Sequence, residues 1–244
     1  MRITRNYIEH ALQIGSGLEL PEAIATHLLR VLRLTVGDEL VLFNGDGKDY
    51  RARIVETGKR GARVDLLTAT EVNAESPLRI TLAQAIARGE KMDWVLQKAT
   101  ELGVSCIAPV STERTEVRLD AERSDRRMQH WQGVVASACE QCGRATLPDL
   151  EEPQPLAQFL AARKDSPELL LALDPQGDLH LDTLPAATSL CLVIGPEGGL
   201  SDRDLAAIHA AGGRGLRLGP RILRTETAGL AAISALQARL GDWR

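Results

Sequence analysis

Two stretches near the end of the chain carry the groups best suited to holding a ligand. The first is Ile194-Gly-Pro-Glu-Gly-Gly199, which closes an apolar run that begins at Cys191; the second is Leu218-Gly-Pro-Arg-Ile-Leu-Arg-Thr-Glu-Thr227. Gly195 ends its run without a Cβ, Pro196 fixes the turn and Gly198-Gly199 permit positive φ, so amides and carbonyls stay open to close approach. Ser201 and Asp204 have capping-box spacing and start the helix that follows. Each stretch therefore reads as a buried strand running into a loop and then a helix, which brings both loops to one edge of a parallel sheet. Open α/β sheets bind their ligands at that edge. An ordinary strand-to-helix turn would explain one such loop, whereas a matched pair favours a site. A dinucleotide fingerprint would follow the first strand of its domain, with an acidic residue about twenty positions further on. Here the glycines come last, and the chain contains no G-x-G-x-x-G or P-loop sequence.

Taken together, the two stretches closely resemble the 16S ribosomal RNA uracil-N3 methyltransferases, a family of the knotted SPOUT class, and the order of the remaining segments agrees along nearly the whole chain. The resemblance implies an α/β fold in which a C-terminal trefoil-knotted domain with a parallel sheet follows a small PUA-like β-barrel. It implies S-adenosylmethionine as methyl donor, held bent in a slot of the C-terminal loops, and as acceptor a uridine in the decoding region of 16S rRNA in the small ribosomal subunit. Residue by residue, it implies a donor pocket around Leu173, Ile194, Gly195, Pro196, Gly198, Leu218, Gly219, Ile222, Leu223 and Thr225. Apolar side chains such as Leu218 and Leu223 can sandwich adenine while neighbouring backbone groups read its edge. Glu197 is open to three readings: cofactor contact, substrate orientation, or a favourable charge at a helix N-terminus.

Methylating uracil at N3 requires removal of a weakly acidic imide proton and alignment of the nitrogen with a sulfonium methyl group, for which a base, a cation near the carbonyl oxygens and close positioning suffice. No metal is needed. On the substrate side the candidates are Arg114, Arg144 and Arg224, since guanidinium groups suit both phosphate contacts and developing oxyanion charge. Glu226 or Glu140 could accept the proton. For each arginine the structural alternative is an intramolecular ion pair with a nearby carboxylate.

Composition sets the outer bounds. A length of 244 residues with 44% apolar residues allows one large domain or a large and a small one, each with an ordinary core. No apolar run approaches membrane-span length and the first residues lack an apolar signal segment, so the expected location is the cytoplasm. The net charge of -4 argues against a strongly basic nucleic-acid binder. Positive charge is local, in Arg51, Arg53, Lys59, Arg60 and Arg63 and again in Arg123, Arg126 and Arg127, each group reading as a phosphate track or as a solvated face. The Cys139-Glu-Gln-Cys142 spacing lacks the two further ligands that zinc needs, so reduced, largely buried thiols are expected at all four cysteines.

The supporting elements follow from periodicity. Residues 1–72 read as the small β-rich domain: Pro21 opens a helix through Ala23, Ile24, Leu28, Val31 and Leu32, His27 packs beside that stripe, and strands lie near 39–43, 48–56 and 62–70. The polar stretch 73–77 marks a boundary, and 73–244 reads as strands alternating with helices. Strands are expected at 78–86, 106–110 and 168–174, and helices at 90–102, 121–142 and 156–163. The 121–142 helix should bury Met128, Trp131, Val135, Ala138 and Cys142. The terminal helix, from about 227 to 240, carries Leu230, Ala231, Ile233, Leu236 and Leu240, more apolar surface than one narrow stripe. The resemblance turns this surplus into a homodimer interface beside the donor pocket, at Ile233 and Leu236. A ribose 2′-O-methyltransferase of the same class and a non-catalytic ribosome-assembly factor are the rival readings, separated by product analysis and by donor binding.

Overall fold

The computed structural model describes residues 3–59, 61–117 and 121–243, with backbone alone for 121–123. The chain divides into two compact units. The first comprises Met1–Glu75 together with Cys139–Leu147, and the second Ser76–Ala138 together with Pro148–Arg244. The first segment of the first unit ends at Glu75, and the return of residues 139–147 to that unit is invisible in a helical pattern that runs unbroken to Cys142.

The first unit is a five-stranded mixed sheet. Its strands are β1 (Arg5–Tyr7), β2 (Gly17–Glu19), β3 (Glu39–Phe43), β4 (Lys48–Thr57) and β5 (Ala62–Glu71), in the order β1-β3-β4-β5-β2. Among the described residues only the β1–β3 pair of this sheet is parallel. Alternation places Ala52 and Ile54 of β4 in the core with Leu40, Leu42 and Val64, and leaves Arg51 and Arg53 outside. Both arginines pair with Glu39, at 2.5 and 2.7 Å, and these hydrogen-bonded guanidinium groups hold its carboxyl below the usual range. Helix α1 (Glu22–Thr26) follows Pro21 as expected and widens into a π-helical turn over His27–Val31. The extra residue in that turn, closed by the Leu32 amide on the His27 carbonyl, carries Val31 and Leu32 off the buried face. His27, expected to pack, is exposed, on the face away from the buried Ala25 and Leu28. The returning segment contributes Cys139 and Ala145 to a small cluster with Phe43.

The second unit is a parallel sheet. Its strands are β6 (Arg79–Ala85), β7 (Cys106–Ser111), β8 (Asp149–Leu150), β9 (Gln154–Pro155), β10 (Leu169–Leu173), β11 (Ser189–Ile194) and β12 (Arg214–Leu216). Their order is β12-β10-β11-β6-β7-β8, with β9 also beside β7. The helices are α2 (Lys91–Glu101), α3 (Ala121–Cys142), α4 (Leu156–Ala162), α5 (Asp202–Ala210) and α6 (Thr225–Leu240). Ile80, Leu82, Ala83 and Ala85 of β6 are all fully buried, as a central parallel strand covered on both faces requires. On α3 the buried stripe runs Met128, Trp131, Val135, Ala138 and then Cys139, with Cys142 only half-buried. Strand β11 enters between β10 and β6, and the chain then crosses to the far side of β10 as β12. Three neighbouring strands thus end side by side at one edge of the sheet.

On α6, Ala232, Ile233 and Leu236 are fully buried within the chain, while Leu230, Ala231 and Leu240 are half-buried. The expectation of Ile233 and Leu236 at an interface is therefore corrected: they are core residues, because the face that carries them packs on the unit's own elements. Gln237, also buried, accepts from Ser76 Oγ at 2.7 Å and donates to the Leu102 carbonyl at 3.0 Å.

Candidate active site

The loops that leave the carboxyl ends of β10, β11 and β12 line a cavity of about 540 Å³. All ten residues expected around a donor lie on its wall: Leu173, Ile194, Gly195, Pro196, Gly198, Leu218, Gly219, Ile222, Leu223 and Thr225. Two of the expected arginines, Arg114 and Arg224, and the carboxylates of Glu197 and Glu226 are there as well. The wall also includes Lys91, Asp174, Leu205 and Arg221, which the sequence reading missed. Asp174 follows the last residue of β10 and Lys91 opens the helix after β6, so their positions at strand ends were the available signal.

Local chemistry explains the loop shapes. Ser201 caps α5, its Oγ accepting from the Asp204 amide at 3.1 Å while the Ser201 amide donates to Asp204 Oδ2 at 2.9 Å, so the capping box forms as its spacing predicts. Gly199 (φ 70°) and Gly219 (φ 68°) occupy the left-handed region. At Gly195 the sequence suggested close approach by a ligand, but the near neighbour is the loop itself. A Cβ there would lie 2.7 Å from the Leu200 nitrogen and 2.8 Å from the Gly199 carbonyl carbon, so a larger residue would break the loop before it blocked the cavity.

A hydrogen-bond relay fixes the floor. Thr225 Oγ1 donates to the Gly195 carbonyl at 2.6 Å and accepts from Gln84 Nε2 at 3.0 Å, tying β6, the loop after β11 and the first turn of α6 together. Gln84 is fully buried and its Oε1 has no hydrogen-bond partner among the described residues. The hydroxyl proton of Thr225 is committed to Gly195, so toward the cavity this residue offers shape.

Charge at the mouth is organised around Lys91. Its Nζ lies 3.1 Å from Glu197 Oε1 and 3.9 Å from Glu226 Oε2. Burial pushes the Glu197 carboxyl upward, but its own amide, the Arg88 amide at 3.1 Å and the Lys91 ammonium outweigh it and leave the group below its ordinary value. Glu226 Oε2 is buried and receives no hydrogen bond among the described residues. A buried acceptor without a hydrogen bond is uncommon, and the Lys91 ammonium at 3.9 Å compensates its charge only in part.

Glu140 and Arg144 are not among the residues that line this cavity; both belong to the first unit. Arg144 is 3% exposed and holds Glu75 through two hydrogen bonds of 3.0 and 2.5 Å. Glu140 Oε1 accepts from the Tyr7 amide at 2.8 Å, and burial, only partly offset by that bond, raises its carboxyl above the usual range. Burial likewise pushes the Cys106 thiol up to about 12 and Cys191 higher still. Cys139 is also raised, first by its hydrogen bond with Cys142 and then by burial, so these thiols are held protonated.

A parallel sheet with a ligand cavity over its carboxyl edge, joined to a small mixed-sheet unit, matches known domain families in both parts. Residues 74–237 match the RNA methyltransferase domain and residues 20–67 the RNA methyltransferase PUA domain, which makes the chain an RNA methyltransferase. It is 35% identical to the ribosomal RNA small subunit methyltransferase E of Buchnera aphidicola (subsp. Schizaphis graminum), over 99% of this chain and 98% of that one. Among solved structures, a Neisseria gonorrhoeae ribosomal RNA small subunit methyltransferase E bound to S-adenosyl methionine is 38% identical over all of both chains, with a TM-score of 0.94. A putative methyltransferase from Legionella pneumophila in complex with bound SAM is 43% identical over 99% of this chain and 100% of that one, with a TM-score of 0.93. The chain belongs to the ribosomal RNA small subunit methyltransferase E family.

Proposed function

We propose that this chain methylates N3 of a uridine in the decoding region of 16S rRNA, using S-adenosylmethionine, within the small ribosomal subunit in the cytoplasm. The observation that carries the reading is the convergence of all ten expected donor-contacting residues on one cavity, beside a carboxylate that holds a buried oxygen with no hydrogen bond among the described residues. In this reading the loops after β11 and β12 form the trefoil knot of the class.

The wall fits the donor. Leu173, Ile194, Leu218 and Leu223 supply flat apolar surface for an adenine, and the carboxylates of Asp174 and Glu197 favour a cationic sulfonium and ammonium. When bound, S-adenosylmethionine supplies an electrophilic methyl group. The Glu226 carboxylate takes the imide proton from N3, leaving the nitrogen lone pair free to attack. Lys91, anchored on Glu197, holds that carboxylate in place. Arg224, at the N-cap of α6 and exposed at the mouth, faces the uracil oxygens on which negative charge develops. We assign Arg144 and Glu140 to the internal contacts of the first unit. A second copy of the chain docks on the half-buried Leu230, Ala231 and Leu240 of α6.

An acidic chain has little general attraction for polyanions, so selectivity rests on folded RNA geometry. With labelled S-adenosylmethionine we expect label in the 16S rRNA of small subunits isolated from cells lacking this protein. A short unstructured uridine-containing oligonucleotide should be labelled at least about a hundredfold more slowly. Equal labelling of the two would contradict the proposal.

A further inference from the structure

Arg114 entered as a candidate for RNA contact or charge stabilisation, yet its guanidinium is engaged elsewhere. Nη1 donates to the carbonyls of Gly198, at 2.9 Å, and Leu200, at 3.4 Å, bridging two carbonyls of the glycine loop after β11. Its stem lies on the same loop. A Cβ built at Gly198 would stand 3.3 Å from Arg114 Cβ and 3.5 Å from its Cδ, a spacing that a glycine alone leaves comfortable.

The segment that carries Arg114 is itself anchored. Ser201 Oγ lies 2.6 Å from Glu113 Oε2, and the Glu113 amide donates to Asp204 Oδ1 at 3.3 Å. Ser201 and Asp204 are the capping residues of α5 and are both buried, at 5% and 7% exposure. The turn after β7 therefore grips the glycine loop at two points, through Arg114 on the loop carbonyls and through Glu113 on the helix cap where the loop ends.

We propose that Arg114 is a positioning residue, which clamps the Gly198–Leu200 carbonyls and so holds the glycine loop in the shape that admits the methyl donor. The proposal rests on the donor reading given above. It moves Arg114 from the RNA side of the reaction to the donor side. Two charge-assisted hydrogen bonds on a loop with two adjacent glycines limit its backbone freedom, and losing them makes the donor order the loop as it binds.

The clamp predicts a split between binding and chemistry. In the full chain, Arg114→Ala should weaken S-adenosylmethionine binding about tenfold by titration calorimetry and raise the KM for the donor correspondingly. The single-turnover rate at saturating donor should stay within about twofold of the unmodified chain, because the clamp does not touch the reacting atoms. Arg114→Lys, which keeps the charge and part of the reach, should fall between the two. Gly198→Ala, which pushes the stem off the loop, should shift donor affinity in the same direction as Arg114→Ala. Hydrogen exchange of the Gly198–Leu200 amides should quicken in Arg114→Ala without donor present, with thermal unfolding unchanged.

Wild-type donor affinity in Arg114→Ala, or a lost single-turnover rate at saturating donor, would overturn the proposal. Unaltered exchange at Gly198–Leu200 would overturn it as well, and that readout stands even if the unmodified chain fails to bind S-adenosylmethionine, an outcome that sinks the donor reading instead.

Discussion

Glu226→Gln should slow methyl transfer at saturating donor and RNA by roughly a hundredfold to ten-thousandfold, the range over which positioned acid–base groups act. Glutamine keeps the size of the side chain and one acceptor oxygen, and removes the negative charge and with it the ability to hold the imide proton. Donor affinity should change by no more than about threefold, because the loss falls in the transition state. Glu226 is set apart from the other candidate glutamates by its surroundings. Glu197 is engaged by Lys91 and by the Arg88 amide. Glu140 belongs to the first unit and accepts from Tyr7. Among the described residues Glu226 alone combines a place on the cavity wall with a buried oxygen that accepts no hydrogen bond. Single-turnover measurement on small subunits checks this, and a variant that keeps a rate within about threefold of the unmodified chain would pass the base role to another group.

Ile233→Asp should abolish folding of the second unit. Ile233 is fully buried, so the substitution removes core volume and places a carboxylate among apolar groups, where it must either stay charged at high cost or take up a proton. The combined penalty, about 5 kcal/mol, is comparable to the whole stability of a typical domain. Leu230→Asp sits on the half-buried side of the same helix and should leave thermal unfolding nearly unchanged while weakening self-association. Circular dichroism and light scattering separate the two outcomes. A folded Ile233→Asp variant would contradict the burial argument, and an unmodified chain that stays monomeric at micromolar concentration would remove the dimer.

The parallel-sheet unit was legible because its signals are local. Apolar runs of strand length, helical stripes such as Met92, Val95, Leu96 and Ala99, and the Ser201–Asp204 cap fall within a few residues of where they act. Nine of the ten expected cavity-wall residues lie in the two loop motifs, and Leu173 was reached through the family resemblance alone. Contacts across long sequence separations were not legible. Nothing near Cys139 indicates that residues 139–147 return to the first unit, where Arg5 donates to the Cys139 carbonyl at 2.8 Å and a cluster forms around Phe43. The same limit explains the two arginines. A guanidinium in a sequence does not disclose its partner, and Arg144 meets Glu75 sixty-nine positions away while Arg114 meets Gly198 eighty-four away. Very short strands such as β8 and β9, two residues each, lack any periodic signature. On α6 the surplus of apolar residues was evident, but which of them face inward is settled by packing: Ile233 and Leu236 are inside and Leu230 is not.

The most direct test of the central claim is the identity of the product. Small subunits from cells lacking this protein, incubated with the purified chain and S-adenosylmethionine, should yield on nuclease digestion and mass spectrometry one new modified nucleoside in 16S rRNA, N3-methyluridine from the decoding region, absent when the Glu226→Gln chain replaces the unmodified one. A 2′-O-methylated nucleoside, or no new methyl group with active chain and donor present, would contradict it.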